Sequence, residues 1–259
     1  MGPMRHFLET EFRRLRNRVS KHSHYQIVHS ACGLRHLDHI DAIRYEKERA
    51  EFIYQYVNCS DKRVLDIGCN TGYFVIESCL QGSSSVDAFE PHPELARISE
   101  ICCEAAGLSD RVIVHRAVFD FSRNDLGQFD ICLLQNVLHH IGDDFFQESQ
   151  LGQGETLNLI ADILVGMYNV ADQVILQLGF NWKGDTTKPL FADGTKEEMI
   201  QFVHEAVDGI FDIEAIGIAE MSADGITYQK PHAKNIDRDD LLGEFLNRPI
   251  FILRKPRVE

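Results

Sequence analysis

The sequence predicts an α/β protein: a doubly wound, mostly parallel sheet with helices on both faces. Three observations carry that expectation. Short apolar runs of strand length recur at 64–68, 86–90, 111–118, 129–137 and 173–179. Stretches of about helical length separate them, the alternation expected of a parallel sheet covered on both faces. A glycine-bearing turn, DIGCNTG, follows the first run directly, at the carboxyl end of a strand where open parallel sheets place their ligands.

Two helices are expected ahead of the sheet, over about 5–19 and 42–57. The first is basic and amphipathic, with Arg5, Arg13, Arg14, Arg16, Arg18 and Lys21 set against Glu9 and Glu11. A solvated helix face is its plain reading, and contact with an anionic partner is the alternative. VLDIG (64–68) reads as the first strand and leads to a helix over 73–80. VDAFE (86–90) is the second, followed by a helix over 93–106. RVIVHRAV (111–118) and FDICLLQNV (129–137) are the third and fourth, and a helix over 154–169 leads to the fifth, QVILQLG (173–179). Beyond 180 the pattern loosens: NWKGDTTKPLFADGT is a polar loop and 195–209 a helix. Two antiparallel strands, 211–219 and 248–254, close the sheet. The chain thus divides into an N-terminal helical cap, residues 1–58, and a sheet-based domain, residues 59–259.

Composition narrows the function classes. A net charge of −14 over 259 residues makes nucleic acid an unfavoured partner, since phosphate binding needs a surplus of Lys and Arg. There is no apolar run of 18 residues, and the basic N-terminus has no apolar centre of the kind a signal peptide needs. A cytosolic protein is expected. The odd count of seven cysteines, with no CxxC pair or zinc spacing, reads as reduced core thiols. The oligomeric state is open, a homo-oligomer included.

The turn at 66–72 admits three ligand readings. A phosphate loop requires GxxxxGK[ST], and no such Lys follows Gly72. A dinucleotide fingerprint requires GxGxxG, whereas the spacing here is DxGxxxG. The third is a site for S-adenosylmethionine. On Asp66–Gly68–Gly72, the acidic end of the second strand at Glu90 and the Asp130–His140 run, the sequence resembles the class I, Rossmann-like S-adenosylmethionine-dependent methyltransferases. The likeness covers roughly residues 44–180. It implies that Gly68 and Gly72 let backbone approach the methionyl part of the cofactor, where a Cβ would clash. It further implies that Asp66 accepts from the ammonium group and that Glu90 accepts from the ribose hydroxyls. Asn70, Tyr73, Phe74 and Pro91 complete that lining, Ala117 and Val118 border the adenine, and Gln135 and Asn136 lie beneath the sulfonium. Arg49 would hold the cofactor carboxylate. In the dinucleotide enzymes too an acid ends the second strand, so Glu90 carries weight only jointly with the turn.

Methyl transfer is an in-line displacement, so alignment and exclusion of water are most of what a protein supplies. A hydroxyl acceptor additionally needs its proton removed, and a neutral imidazole suits that work. His139-His140, just past the fourth strand, are the candidates, with His140 as base and His139 shaping the pocket. Asp143 and Asp144 follow. With Asp130 or Asp185 they could offer oxygen ligands to Mg²⁺, but a carboxylate pair after a loop ordinarily caps a helix, and no metal is expected. The lone Trp182 either stacks on a sugar ring or anchors its loop. RYEKERAEFI, LDIGCNTGYF, LHHI and VADQVILQLG are similar to bacterial sugar and polysaccharide O-methyltransferases, and more distantly to tRNA-uridine carboxymethyl-transferring enzymes. The resemblance implies O-methylation of a small molecule, sugar or glycan. N- or C-methylation, tRNA wobble-uridine modification and a non-catalytic, cofactor-binding partner subunit are the alternatives.

Overall fold

The computed structural model describes residues 3–18, 25–40, 44–122, 126–142 and 152–257. The chain forms two compact units, Met1–Phe119 and Asp120–Glu259.

The first unit begins with helix α1, Pro3–Arg16, which buries Leu8, Phe12 and Leu15 at the i, i+4, i+7 spacing of one helix face. Its end is fixed by a buried ion pair: Arg16 Nε donates to Asp38 Oδ1 at 2.8 Å. The Asp38 carboxylate also accepts the N–H groups of Val28 (3.0 Å) and Ile40 (3.2 Å), so one acid organises residues 26–40. Helix α2, Glu46–Tyr56, starts later than the sequence predicts because Tyr45 sits in the left-handed region at φ 51°. A β-α-β-α-β run follows: β1 (Arg63–Ile67), α3 (Tyr73–Leu80), β2 (Ser85–Phe89), α4 (Pro93–Ala105) and β3 (Val112–His115). The strands lie in the order β3-β2-β1, all parallel, with Asp66 beside Ala88 and Phe89 beside His115. Val64, Leu65 and Ile67 of β1 are at most 2% exposed, which is why the strand reads as a continuous apolar run. β3 is shorter than expected and carries the exposed Ile113, as an edge strand does.

The second unit holds β4 (Phe129–Gln135), α5 (Gln153–Gly166), β5 (Ala171–Gln177), α6 (Lys196–Val207), β6 (Asp212–Ser222), β7 (Gly225–Gln229), the short α7 (Gly243–Leu246) and β8 (Ile250–Arg254). Its strand order is β4-β5-β8-β6-β7, parallel between β4 and β5 and antiparallel beyond. β8 lies between β5 and β6, so Ile250, Phe251, Ile252 and Leu253 are all fully buried. β7 is missing from the sequence reading. It pairs with β6 through a hairpin in which Ser222 faces Gly225, and Asp224-Gly225 is the hairpin signal that marks it. The parallel β3-β2-β1 of the first unit and the parallel β4-β5 pair with the antiparallel C-terminal three of the second match the expected α/β class. All seven cysteines are buried and free. Among the described residues no helix is long and apolar enough to cross a membrane.

Candidate active site

In the first unit the chain leaves β1 through three positive-φ residues, Gly68 (75°), Asn70 (53°) and Gly72 (81°), before α3 begins. At Gly72 both the angle and the space favour glycine: a Cβ there would stand 2.3 Å from Ser99 Oγ, so Ser99 would have to shift. The turn is tied to the end of β2. Gly68 and Cys69 donate their N–H groups to the Phe89 carbonyl at 2.8 and 3.0 Å. Asn70 N–H donates to Glu90 Oε2, and His92 N–H to Glu90 Oε1, both at 2.9 Å.

Asp66 and Glu90 are both buried, at 5% and 4% exposure. Burial, and then the neighbouring charge of Glu90, push the Asp66 carboxyl up to about 7, while Arg49 acts in the opposite sense. Arg49 is itself buried on α2; its Nε donates to the Arg44 carbonyl at 3.0 Å and its guanidinium lies 4.9 Å from the Phe74 ring centre. Tyr73 opens α3, its ring tilted against His29 at 4.8 Å.

Because the residue capping α3 is a glycine, it has no side chain to satisfy the first N–H groups of the helix. Gln26 supplies that acceptor from a distance: its Oε1 takes the Tyr73 N–H at 3.1 Å and lies 2.9 Å from the Thr71 hydroxyl. His29 Nε2 pairs with Glu77 Oε2 at 2.8 Å on the same helix. Pro91 is half-buried after Glu90, and Ala117 and Val118 are exposed on the loop after β3. Phe119 is the buried member of that loop, edge-on to Phe89 at 5.1 Å.

The second unit carries the histidine pair. β4 ends at Gln135, and Asn136 turns the chain at φ 60° into the short 3-10 segment Leu138–His140. Asn136 is held on three sides: its N–H donates to the Gln177 carbonyl (2.7 Å), its Nδ2 to Gln177 Oε1 (2.8 Å), and its Oδ1 accepts from Arg248 Nη1 (2.7 Å). His139 is 1% exposed. Its Nδ1 accepts the Gly179 N–H at 3.1 Å, and Arg248 Nη1 lies 3.5 Å from its Nε2. A Cβ at Gly179 would come 2.6 Å from the His139 ring, so glycine is required there too. Glu244 pairs with Arg248 and accepts the Phe180 N–H at 3.2 Å. The half-buried His140 ring is centred 4.3 Å from that of His139.

Trp182 Nε1 donates to the Ile141 carbonyl and Lys183 Nζ to the Gly142 carbonyl, each at 2.6 Å. The indole therefore anchors its loop to the histidine turn. Asp185 accepts from Thr187 through both backbone N–H and hydroxyl, the local turn of a loop acid. Asp143, Asp144, Phe145 and Phe146 lie outside the described residues.

The sequence reading passed over Gln26, Glu46, Glu244 and Arg248. Glu46 Oε2 and Asn70 Oδ1 are buried with no hydrogen-bond partner among the described residues, and burial holds the Glu46 carboxyl above its usual range. Buried acids at Asp66, Glu90 and Glu46 around this turn suit a ligand bringing an ammonium group and hydroxyl donors. S-adenosylmethionine has both. A diphosphate has neither, and would meet carboxylates where it needs cations.

Residues 65–150 match the family described as a methyltransferase domain. No curated protein matches the chain in sequence. Among solved structures, the bifunctional kinase-methyltransferase WbdD aligns over 96% of this chain at 16% identity, with a TM-score of 0.61. The chain spans about half of WbdD, 47% of its length. The N-terminal domain of EvdMO1, crystallised in the presence of SAH and D-fucose, aligns over 99% of this chain and 100% of its own, at 15% identity and a TM-score of 0.56. At such identities the likeness is one of fold. The family match covers residues 65–150, and the fold of both neighbours agrees with it.

Proposed function

We propose that the protein methylates a hydroxyl oxygen of a sugar, glycan or other small hydroxylated molecule, with His140 as the general base. The observation that carries this reading is the division of labour between the two imidazoles. His139 spends its Nδ1 lone pair on the Gly179 N–H and has the Arg248 guanidinium beside its other nitrogen. Protonating His139 would break the first interaction and add a positive charge next to the second, so it suits a positioning role. His140 is the more exposed of the two, on the turn that follows β4.

Bound S-adenosylmethionine supplies a methyl group activated on a sulfonium. In our reading Asp66 accepts from its ammonium group, Glu90 from its ribose hydroxyls, and Arg49 holds its carboxylate. Gly68, Asn70, Gly72, Tyr73 and Phe74 shape the turn around its amino-acid end. Pro91, Ala117 and Val118 lie toward its adenosine side, and Gln135 and Asn136 toward its sulfur. Residues 1–58 serve as a helical cap, whose Gln26 completes the start of α3. His140 takes the acceptor proton as the new O–C bond forms and the methyl–sulfur bond breaks, its electron pair returning to sulfur to leave a neutral thioether.

The D-fucose in the EvdMO1 crystals supports a sugar acceptor, and the net charge of −14 argues against RNA. Seven buried free thiols accord with a reducing, cytosolic setting.

The test is incubation of the protein with labelled cofactor and a panel of neutral sugars and glycans, with mass spectrometry of the products. Label in an O-methyl ether is the expected outcome. Label found only on nitrogen or carbon would overturn the reading.

A further inference from the structure

We propose that Glu46 is a second acceptor for the ammonium group of the cofactor, alongside Asp66. Helix α2 then meets both charges of the amino-acid end, the positive one at Glu46 and the negative one at Arg49. This deepens the cofactor reading given above and rests on it.

A buried acid without a partner is costly, and Glu46 is one. It opens α2 and is 1% exposed. Its Oε1 lies 3.4 Å from the Ile27 N–H, and its Oε2 has no hydrogen-bond partner among the described residues. An acid in the first turn of a helix ordinarily stays in water, where the helix dipole favours it at no cost of burial. Here burial holds the carboxyl above its usual range and outweighs the opposing pull of Arg49.

Arg49 is the evident counterion, three residues on and buried on the same helix. No ion pair joins the two, and Arg49 Nε donates to the Arg44 carbonyl at 3.0 Å instead. The Glu46 charge is thus left to be met by another group. A zwitterion suits the helix, ammonium to Glu46 and carboxylate to Arg49.

Glu46 also stands beside the turn that would take the amino-acid end. The Ile27 carbonyl accepts the Thr71 hydroxyl at 3.1 Å, and the adjacent Gln26 accepts the Tyr73 N–H at 3.1 Å. Burial, then the charges of Glu77 and Glu46, push the Tyr73 hydroxyl up, and Arg49 acts on Glu46 and Asp66 alike. Glu46, Arg49, Asp66 and Tyr73 are therefore electrostatic neighbours. An ammonium group carries three donors, so Asp66 alone leaves it short of acceptors. The competing arrangement has a neutral Glu46 donating to the ligand carboxylate, and the ligand's own charges separate the two.

Calorimetry at about pH 8 on the full chain and on Glu46→Gln tests this with two ligands. One is S-adenosylhomocysteine; the other is its deaminated analogue, which keeps the carboxylate and the adenosine but has no ammonium group. Glu46→Gln should weaken S-adenosylhomocysteine by about tenfold or more and the analogue by less than about twofold. Without ligand the variant should melt no lower than wild type, because an amide in place of a buried acid removes the cost of burial and keeps an acceptor for Ile27. A lower melt without ligand, equal weakening of the two ligands, or undiminished S-adenosylhomocysteine affinity would each overturn the assignment. Wild-type protein that binds neither ligand would sink the cofactor reading as well.

Discussion

Glu90 Oε2 accepts the backbone N–H of Asn70 at 2.9 Å, so the acid that ends β2 also holds the shape of the turn that ends β1. Its second oxygen does the same for the His92 N–H. Glu90→Ala strands both donors and should lower folding stability by about 1–3 kcal/mol. It should also weaken S-adenosylhomocysteine binding by more than about tenfold, a loss that one strong hydrogen bond accounts for. Glu90→Gln, which keeps an acceptor, should lose less on both counts. Urea denaturation and calorimetry on the two variants check this. Destabilisation with undiminished affinity would leave Glu90 a purely structural part of the turn.

The raised Asp66 carboxyl gives cofactor binding a pH dependence of known sign. Its folded value, about 7, stands above the ordinary 3.8, so the free protein holds this proton more tightly than the unfolded chain does. That contribution to stability is complete below about 3.8 and is lost as pH rises through about 7. A bound ammonium group needs the ionised form, so binding releases a proton at acid pH. Affinity for S-adenosylhomocysteine should fall by up to about tenfold per pH unit between pH 7 and 5 and level off above 8. Asp66→Asn should flatten the profile. A pH-independent affinity in the wild type would disconnect Asp66 from the ligand.

The two histidines should fail differently. His140→Ala is expected to keep the fold and cofactor affinity and to lower transfer to a hydroxyl acceptor by about 10²-fold or more. His139→Ala removes the acceptor of the buried Gly179 N–H and should cost about 1–3 kcal/mol of stability. Thermal melts and single-turnover rates separate the two patterns, and equal rates for His140→Ala and wild type would remove His140 from the chemistry.

Gly72→Ala tests the steric reading of the turn. Its φ of 81° puts a side chain in the left-handed region, at about 1–2 kcal/mol. The new Cβ would also press on Ser99 Oγ at 2.3 Å, adding an overpacking cost of about 1–3 kcal/mol. A clear drop in the urea midpoint is expected, and an unchanged midpoint would show that the turn relaxes freely.

Legibility in the sequence followed contact distance along the chain. Helix α3 has the bounds the sequence predicts, because Gly72 stops the turn and Tyr73 starts a run buried almost all round. The spacing of Asp66, Gly68, Gly72 and Glu90 is local to one β-α-β unit, where each residue's place follows from its neighbours. Gln26 capping a helix at Tyr73, or Arg248 reaching Asn136, leaves no local trace. Both are ordinary polar residues until the fold brings their partners to them. Glu46 was legible only as an N-terminal helix acid, and nothing local shows that it is buried, with the Ile27 N–H 3.4 Å from Oε1. β7 was missed although its local signals are present: Ile226 and Tyr228 alternate as its buried residues, and Asp224-Gly225 marks the turn before it.

A crystal structure of the protein grown with S-adenosylhomocysteine tests the central claim most directly. The electron density should place the amino-acid end of the ligand on residues 68–72, its ammonium nitrogen within hydrogen-bond distance of Asp66, and its ribose hydroxyls on Glu90. A map with the ligand bound elsewhere, or with the turn closed over by its own side chains at saturating ligand, would contradict it.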